Sequence, residues 1–251
     1  MTRIVDSPFL VLIVAFFIQS VTAYLGDVLR RTVKPVGTQA RADLDTVLTA
    51  TLTLFALIIG FSFSMAVSRY DLRKNQEEAE ANAIGTEFLR ADLLPAEGAE
   101  NTRKLLRGYI DQRVAFYSSG AVTPGVVKPE TGKAQSELWS SVVQATKGQP
   151  TPIAALVLSG MNDIINAEGY TQAAWWNRIP LAAWALMGIM AVVCNMLLGY
   201  RERRTNALVL TVLPMIASIA FFLISDIDSP YGGVVRLVPY NLIAVSASMR
   251  Q

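Results

Sequence analysis

The sequence predicts an all-α integral membrane protein with four transmembrane helices and a helical extramembrane domain formed partly by extensions of spans two and three. Three observations carry that reading. Of 251 residues, 52% are hydrophobic and 17% charged, whereas about a quarter of a soluble domain is charged; the mean hydropathy is +0.37. The apolar residues are concentrated: Ser7–Gly26, Thr46–Ser68, Ile179–Tyr200 and Thr205–Ser225 contain no Asp, Glu, Lys or Arg. Each window is about 20 residues, the length at which a helix crosses a hydrocarbon core of about 30 Å. No segment shows the strict alternation of a strand.

In chain order, the first window follows Arg3. It reads as a membrane helix and not a cleaved leader, because Tyr24-Leu25-Gly26-Asp27 is a poor small-residue cleavage site. A short connection carrying Arg30, Arg31, Lys34, Pro35 and Arg41 leads to span two. Beyond it, Arg69–Leu94 has no Pro and one Gly, and pairs charges at i,i+4 (Arg73/Glu77, Lys74/Glu78). Span two therefore continues as one helix far longer than a membrane is thick, until Pro95 and Gly98. A second helix is expected over Ala99–Ser118, with Leu105, Leu106, Tyr109, Ile110 and Val114 on its apolar face. Ser119–Gly132 reads as a loop and Lys133–Lys147 as a helix ended by Gly148 and Pro150. Pro152–Asn177 is a further helix leading into span three. Pro180 suits the first turn of that span, and Pro214 should kink span four. Tyr24, Tyr70, Trp175, Trp176, Tyr200 and Tyr231 mark span ends, where amphipathic rings sit at the water interface. The organisation is 1–68 (spans one and two), 69–178 (helical domain), 179–225 (spans three and four) and 226–251 (C-terminal tail).

The inventory excludes much chemistry. There is no His and one Cys, Cys194 inside span three, so His- or Cys-built metal centres, Cys–His nucleophiles and Ser-His-Asp triads are ruled out. No set of nucleophile, base and oxyanion donors can be assembled, so no enzyme and no cofactor are expected. A net charge of +2 does not suggest nucleic acid. No ionisable residue falls inside a window, which argues against a proton-coupled pump.

Three stretches resemble a known group: GFSFSMAVSRYDLRKNQEEAEANAIGTEFLRADLLP (Gly60–Pro95), Asn162-Asp163 ahead of span three, and SDIDSPYGGVVRL (Ser225–Leu237) after span four. They are similar to a bacterial membrane protein family of unknown function known as bestrophin-like. The resemblance spans nearly the whole chain. It implies the architecture of bestrophins, oligomeric anion channels with four spans per subunit. Two bestrophin features are absent from this sequence: a dense acidic run of the calcium-clasp kind, and a Pro-Pro-Phe-Phe-like neck in span two. Calcium gating and anion selectivity are therefore not carried over.

Within this frame, the residues offer two candidate regions. In span two, Thr46, Thr49, Thr53, Ala56, Gly60, Ser64 and Ser68 advance by threes and fours as one stripe of small or hydroxylated residues. Such a stripe either lets helices pack closely in lipid or faces water around a symmetry axis. In the second reading Thr49, Thr53, Gly60 and Ser64 set a bore, and Phe61 or Phe63 supplies a hydrophobic constriction. Past the span, Asn82, Thr86 and Arg90 share a helical face, while Glu80 and Glu87 sit on other sides. They either belong to a buried polar network or line an aqueous vestibule.

Asn162, Asp163, Asp226, Asp228 and Arg236 are expected to join that polar cluster near the membrane surface. Asp163 would answer Arg69, Arg73 or Arg90, and Asp226 or Asp228 would answer Arg236 or a basic group of the middle helices. Two acids alone are too few for a hard cation, so no metal is expected. Gln19 and Asn195 are the deepest amides and are expected to hydrogen-bond between helices.

The expected function is an oligomeric membrane ion channel of bestrophin-like type, weakly anion-selective, with span two lining the pore. The alternative is a non-conducting scaffold or sensor subunit whose helical domain binds a partner protein. Expected partners are the lipid bilayer, further copies of the chain and inorganic ions. The expected location is a cell (inner) membrane. Seven basic residues (Arg30, Arg31, Lys34, Arg41, Arg201, Arg203, Arg204) lie in the two short connections, which by the positive-inside rule leans those connections to the cytoplasm; the resemblance implies the reverse.

Overall fold

In the computed structural model, residues 7–32, 38–119, 129–148, 151–201, 207–230 and 233–251 are described. Lys34, Pro35, Pro150, Arg203, Arg204, Tyr231 and most of the Ser119–Gly132 stretch lie outside them, as does Arg3. Among the described residues every regular element is helical: α1 (Pro8–Thr32), α2 (Thr38–Arg90), a 3-10 turn (Ala91–Leu93), α3 (Ala96–Ser119), α4 (Pro129–Ala145), α5 (Pro152–Trp176), α6 (Leu181–Arg201), α7 (Ala207–Asp228) and α8 (Tyr240–Ser248). Four stretches are long and apolar enough to cross a membrane: Pro8–Thr32, Gln39–Leu93, Pro152–Arg201 and Leu210–Asp228. The protein is an all-α integral membrane protein.

Helix α2 runs 53 residues, about 80 Å at 1.5 Å per residue, so it continues well past the apolar window as its sequence requires. It ends where Pro95 disfavours helical geometry in the residue before it: Leu94 is extended, at φ −84 and ψ 158. Helix α5 starts on a designed cap, with Thr151 Oγ1 accepting the Ala154 N–H at 3.1 Å and Pro152 in the first turn. Helices α5 and α6 do not run together. Asn177 is extended, and the chain stays non-helical to Pro180 before α6 begins.

Helix α8 lies within residues 226–251, the stretch the sequence marks only as a C-terminal tail. It is nine residues of uncharged sequence, too short to be helical by propensity alone. Its support is tertiary. Glu77 accepts the Leu242 backbone N–H at 2.9 Å and the Asn241 amide at 2.7 Å, holding a carboxylate at the helix N-terminus. Arg107 donates to the Met249 carbonyl at 2.8 Å at the other end, and Leu242 is fully buried.

The chain forms two compact units. One is Met1–Ser68 with Arg178–Arg236; the other is Arg69–Asn177 with Leu237–Gln251. The span unit has a core of Val11, Phe55, Ala66, Met187, Ala191, Cys194, Ala217, Phe221 and Ile224. There α1 and α6 meet backbone to backbone: a Cβ at Gly26 would overlap the Met196 carbonyl, and one at Gly199 the Ala23 carbonyl. The helical unit is built from the later part of α2 with α3, α4, α5 and α8, around Ile84, Leu106, Ile110, Leu138, Val142, Met161 and Ile164.

Candidate functional site

The span-two residues divide cleanly by face. At 100° per residue, Leu48, Phe55, Ser62 and Ala66 point one way, and all four are buried. Thr49, Thr53, Gly60 and Ser64 point roughly the opposite way, and all four are exposed in the single chain. Phe61 and Phe63 flank them on either side, also exposed, Phe61 at 65%. The Thr49 and Thr53 hydroxyls donate to the carbonyls of Asp45 and Thr49, at 2.8 and 2.9 Å, so each keeps an oxygen lone pair turned outward. A Cβ at Gly60 would meet nothing within 4 Å. Thus α2 uses one face to pack inside its own unit and presents the hydroxyl stripe on the other.

Three spans are tied by uncharged polar groups. Asn195 Nδ2 donates to Gln19 Oε1 at 3.1 Å, and Gln19 Nε2 donates to Ser218 Oγ at 3.2 Å. This links α6, α1 and α7, as expected for deep amides that cannot reach water.

In the helical unit, Arg73, Glu77, Glu80, Ile84 and Glu87 of α2 and Ala91 of the 3-10 turn form a buried row spaced by fours and threes, with Ala81 buried beside Glu80. This is the seam by which a helix packs on others, and four of its positions are ionisable. Glu80 lies at the centre. Arg113 of α3 grips it through Nε and, at 3.2 Å, through Nη2, while Thr171 of α5 donates to its Oε2 at 3.0 Å. Arg113 also reaches Glu168 of α5 at 3.5 Å and stacks on the Phe116 ring at 4.5 Å. Gln135 of α4 donates to Tyr109 at 3.3 Å and to Glu168 at 3.4 Å. Burial opposes the Arg113 charge, but the Glu80 carboxylate outweighs it and holds the guanidinium above its ordinary pKa. Burial likewise pushes up the Glu168 carboxyl and the Tyr109 phenol.

The remaining candidates of the expected polar cluster fall into separate settings. Asn82, Thr86, Asn162 and Asp163 are exposed. Arg90 is partly exposed, with Nη1 3.6 Å from Glu87. Arg69 donates to Asn177, and Arg73 is buried with its Nε on the Arg69 carbonyl at 3.2 Å; neither is joined to Asp163 by these bonds. In the span unit, Asp228 takes Arg178 at 3.0 Å and the Ile179 N–H at 3.2 Å, capping the approach to α6. Asp226 accepts the backbone N–H groups of Val234 and Val235 at 2.8 and 2.9 Å, and Arg236 donates to the Gly233 carbonyl at 3.2 Å. Of the expected answers to these acids, Arg178, at the end of the middle region, takes Asp228, while Asp226 is met by backbone N–H groups and Arg236 bonds to the Gly233 carbonyl. No group of three or more potential metal-ligating side chains occurs among the described residues.

Sequence reasoning missed Arg113 and Thr171 as partners of Glu80, and Glu168 as the second carboxylate on Arg113. Their signal was available only as an apolar seam interrupted by charges at four-three spacing.

The bestrophin-like domain model matches residues 10–242. Solved structures of a bacterial bestrophin homologue from Klebsiella pneumoniae share the fold. One point variant superposes with a TM-score of 0.66 at 12% identity, covering 96% of this chain and 99% of that one. A second variant gives 0.66 at 12% identity over 95% and 93%, and a form of the homologue phased with zinc gives 0.62 at 14% over 94% and 98%. No curated protein matches the sequence. With the family model covering nearly the whole chain and the four-span helical fold in agreement, this chain belongs to the bestrophin-like family.

Proposed function

We propose that the protein is an oligomeric ion channel in which α2 of each copy lines an axial pore. Membership of a family of bestrophin-type membrane channels supports the reading. The observation that carries it is the division of α2: Leu48, Phe55, Ser62 and Ala66 are consumed by the chain's own core, while Thr49, Thr53, Gly60 and Ser64 stand unburied on the opposite side. Hydroxyls and a glycine are poor choices for a face turned to lipid and good ones for a face turned to water and to neighbouring copies. Phe61 and Phe63 then supply the apolar constriction. A weak anion preference follows from the basic residues Arg69 and Lys74 that follow span two in sequence. Arg73, the basic residue between them in sequence, is buried in the helical unit. We place the protein in a cell (inner) membrane because its spans are helices, whereas outer membranes are crossed by barrels. The charge balance assigns the short connections to the cytoplasm, and thiol labelling of Ser119→Cys from outside intact cells tests that; protection of the cysteine reverses it.

Particle symmetry of the purified protein, followed by planar-bilayer recording, tests the channel. A closed ring that conducts, with Gly60→Leu reducing and Phe63→Ser raising the current, is the expected result. A cation-selective reversal potential rejects the anion preference. A silent ring or a monomer favours the scaffold reading instead, for which the exposed apolar side chains Trp139, Val143, Ile153 and Leu156 of the helical unit offer a partner surface.

A further inference from the structure

One carboxylate of the helical unit stands outside the pairs above. Glu87 is fully buried, and neither of its oxygens has a hydrogen-bond donor among the described residues. Its cation is Arg90, one turn along α2 and partly exposed, with Nη1 3.6 Å from Oε2; that is an ion pair beyond hydrogen-bonding distance. From α5, the backbone at Gly160 approaches so closely that a Cβ there would overlap both Glu87 Oε2 and Arg90 Nη1. The other charge felt at the site is Asp163, also on α5, which repels an ionised Glu87. On α3, Arg103 and Arg107 are turned to the Phe88 ring, with Arg103 bonded to Asp92 and Arg107 to the Met249 carbonyl. An ionised Glu87 thus has one cation beyond hydrogen-bonding distance, one like charge and, among the described residues, no donor.

We propose that Glu87 is a proton-binding site that sets how tightly α5 closes on α2 across Gly160. Protonated, the side chain is neutral and fits the notch without a donor for each oxygen. Ionised, it draws water into the seam and loosens it. Burial, ahead of the opposing pull of Arg90, pushes its pKa from 4.5 up to about 7. The sign follows by linkage. The folded protein keeps a proton that the unfolded chain releases, so stability is full below pH 4.5 and falls as pH rises toward 7. The proposal goes beyond the channel reading and needs no current for its test.

The test is a titration of the full-length protein and of Glu87→Gln in detergent between about pH 5 and pH 8. Infrared spectra of the wild type should keep a protonated-carboxyl band above about pH 6 that Glu87→Gln lacks. The wild-type melting temperature should fall by several degrees across the range, and the slope should flatten in Glu87→Gln. An identical slope in both proteins, or no carboxyl band lost on substitution, overturns the proposal. Should Glu87→Gln not fold, amide exchange of residues 157–164 in the wild type decides. After correction for intrinsic rates, it should quicken with rising pH; constant protection contradicts the proposal.

Discussion

Helices α1 and α6 meet through Gly26 and Gly199 and a chain of uncharged amides and a hydroxyl, whereas the helical unit closes around Arg73, Glu77, Glu80, Glu87 and Arg113. Both units solve the same problem of holding helix to helix. In hydrocarbon there is no water to expel, so close backbone approach and internally satisfied polar groups are what remain. In the helical unit water is the competing solvent, and charges can be buried where partners from other helices meet them. The cost is specific: Glu77 and Glu80 each depend on a few named partners, so the unit is sensitive to their loss in a way the uncharged amide link of the spans is not.

Three substitutions would break or sharpen that contrast, from the largest effect to the smallest. Arg113→Ala removes the only guanidinium described on Glu80 and leaves two buried carboxylates facing each other; it should cost about 3–5 kcal/mol, read as a large drop in melting temperature. A loss below about 1 kcal/mol would show that water already solvates the pair. Gly199→Val forces a side chain into the Ala23 backbone and should cost about 1–3 kcal/mol as overpacking. Gly188→Val, which would meet nothing within 4 Å, serves as its control and should melt like the parent. Asn195→Ala breaks the amide link between α6 and α1, for which about 0.6–2 kcal/mol is expected. If it cost as much as Arg113→Ala, the contrast between the two units would fail.

Much of the fold was legible because its signals are local. Four charge-free windows announce the spans, and the Pro-free run Arg69–Leu94 announces the length of α2. Helix α8 was not legible: its nine residues carry no strong propensity, and its anchor, Glu77, lies 165 residues before Leu242. The break between α5 and α6 had a local cause in Pro180 that was read only as a helix start. The candidate sites divide in the same way. The span-two stripe is a periodicity and needs only the sequence to be seen. The ionic seam is not, because Asn82, Thr86 and Arg90 share a face by spacing as convincingly as Arg73, Glu77, Glu80 and Glu87 do. Only the position of Arg113, 33 residues beyond Glu80, decides which face is buried.

The central claim is that the exposed stripe of α2 faces a water-filled axis. Cys194 is the sole cysteine and is buried, so a new thiol can be addressed alone. The decisive measurement is current through reconstituted Thr53→Cys oligomers before and after a charged, water-soluble thiol reagent, beside Ile216→Cys on α7, whose side chain is 60% exposed on a different span. The account predicts a marked loss of current at Thr53→Cys and none at Ile216→Cys. Conduction that is unaffected at Thr53→Cys, or equally affected at both positions, would contradict it.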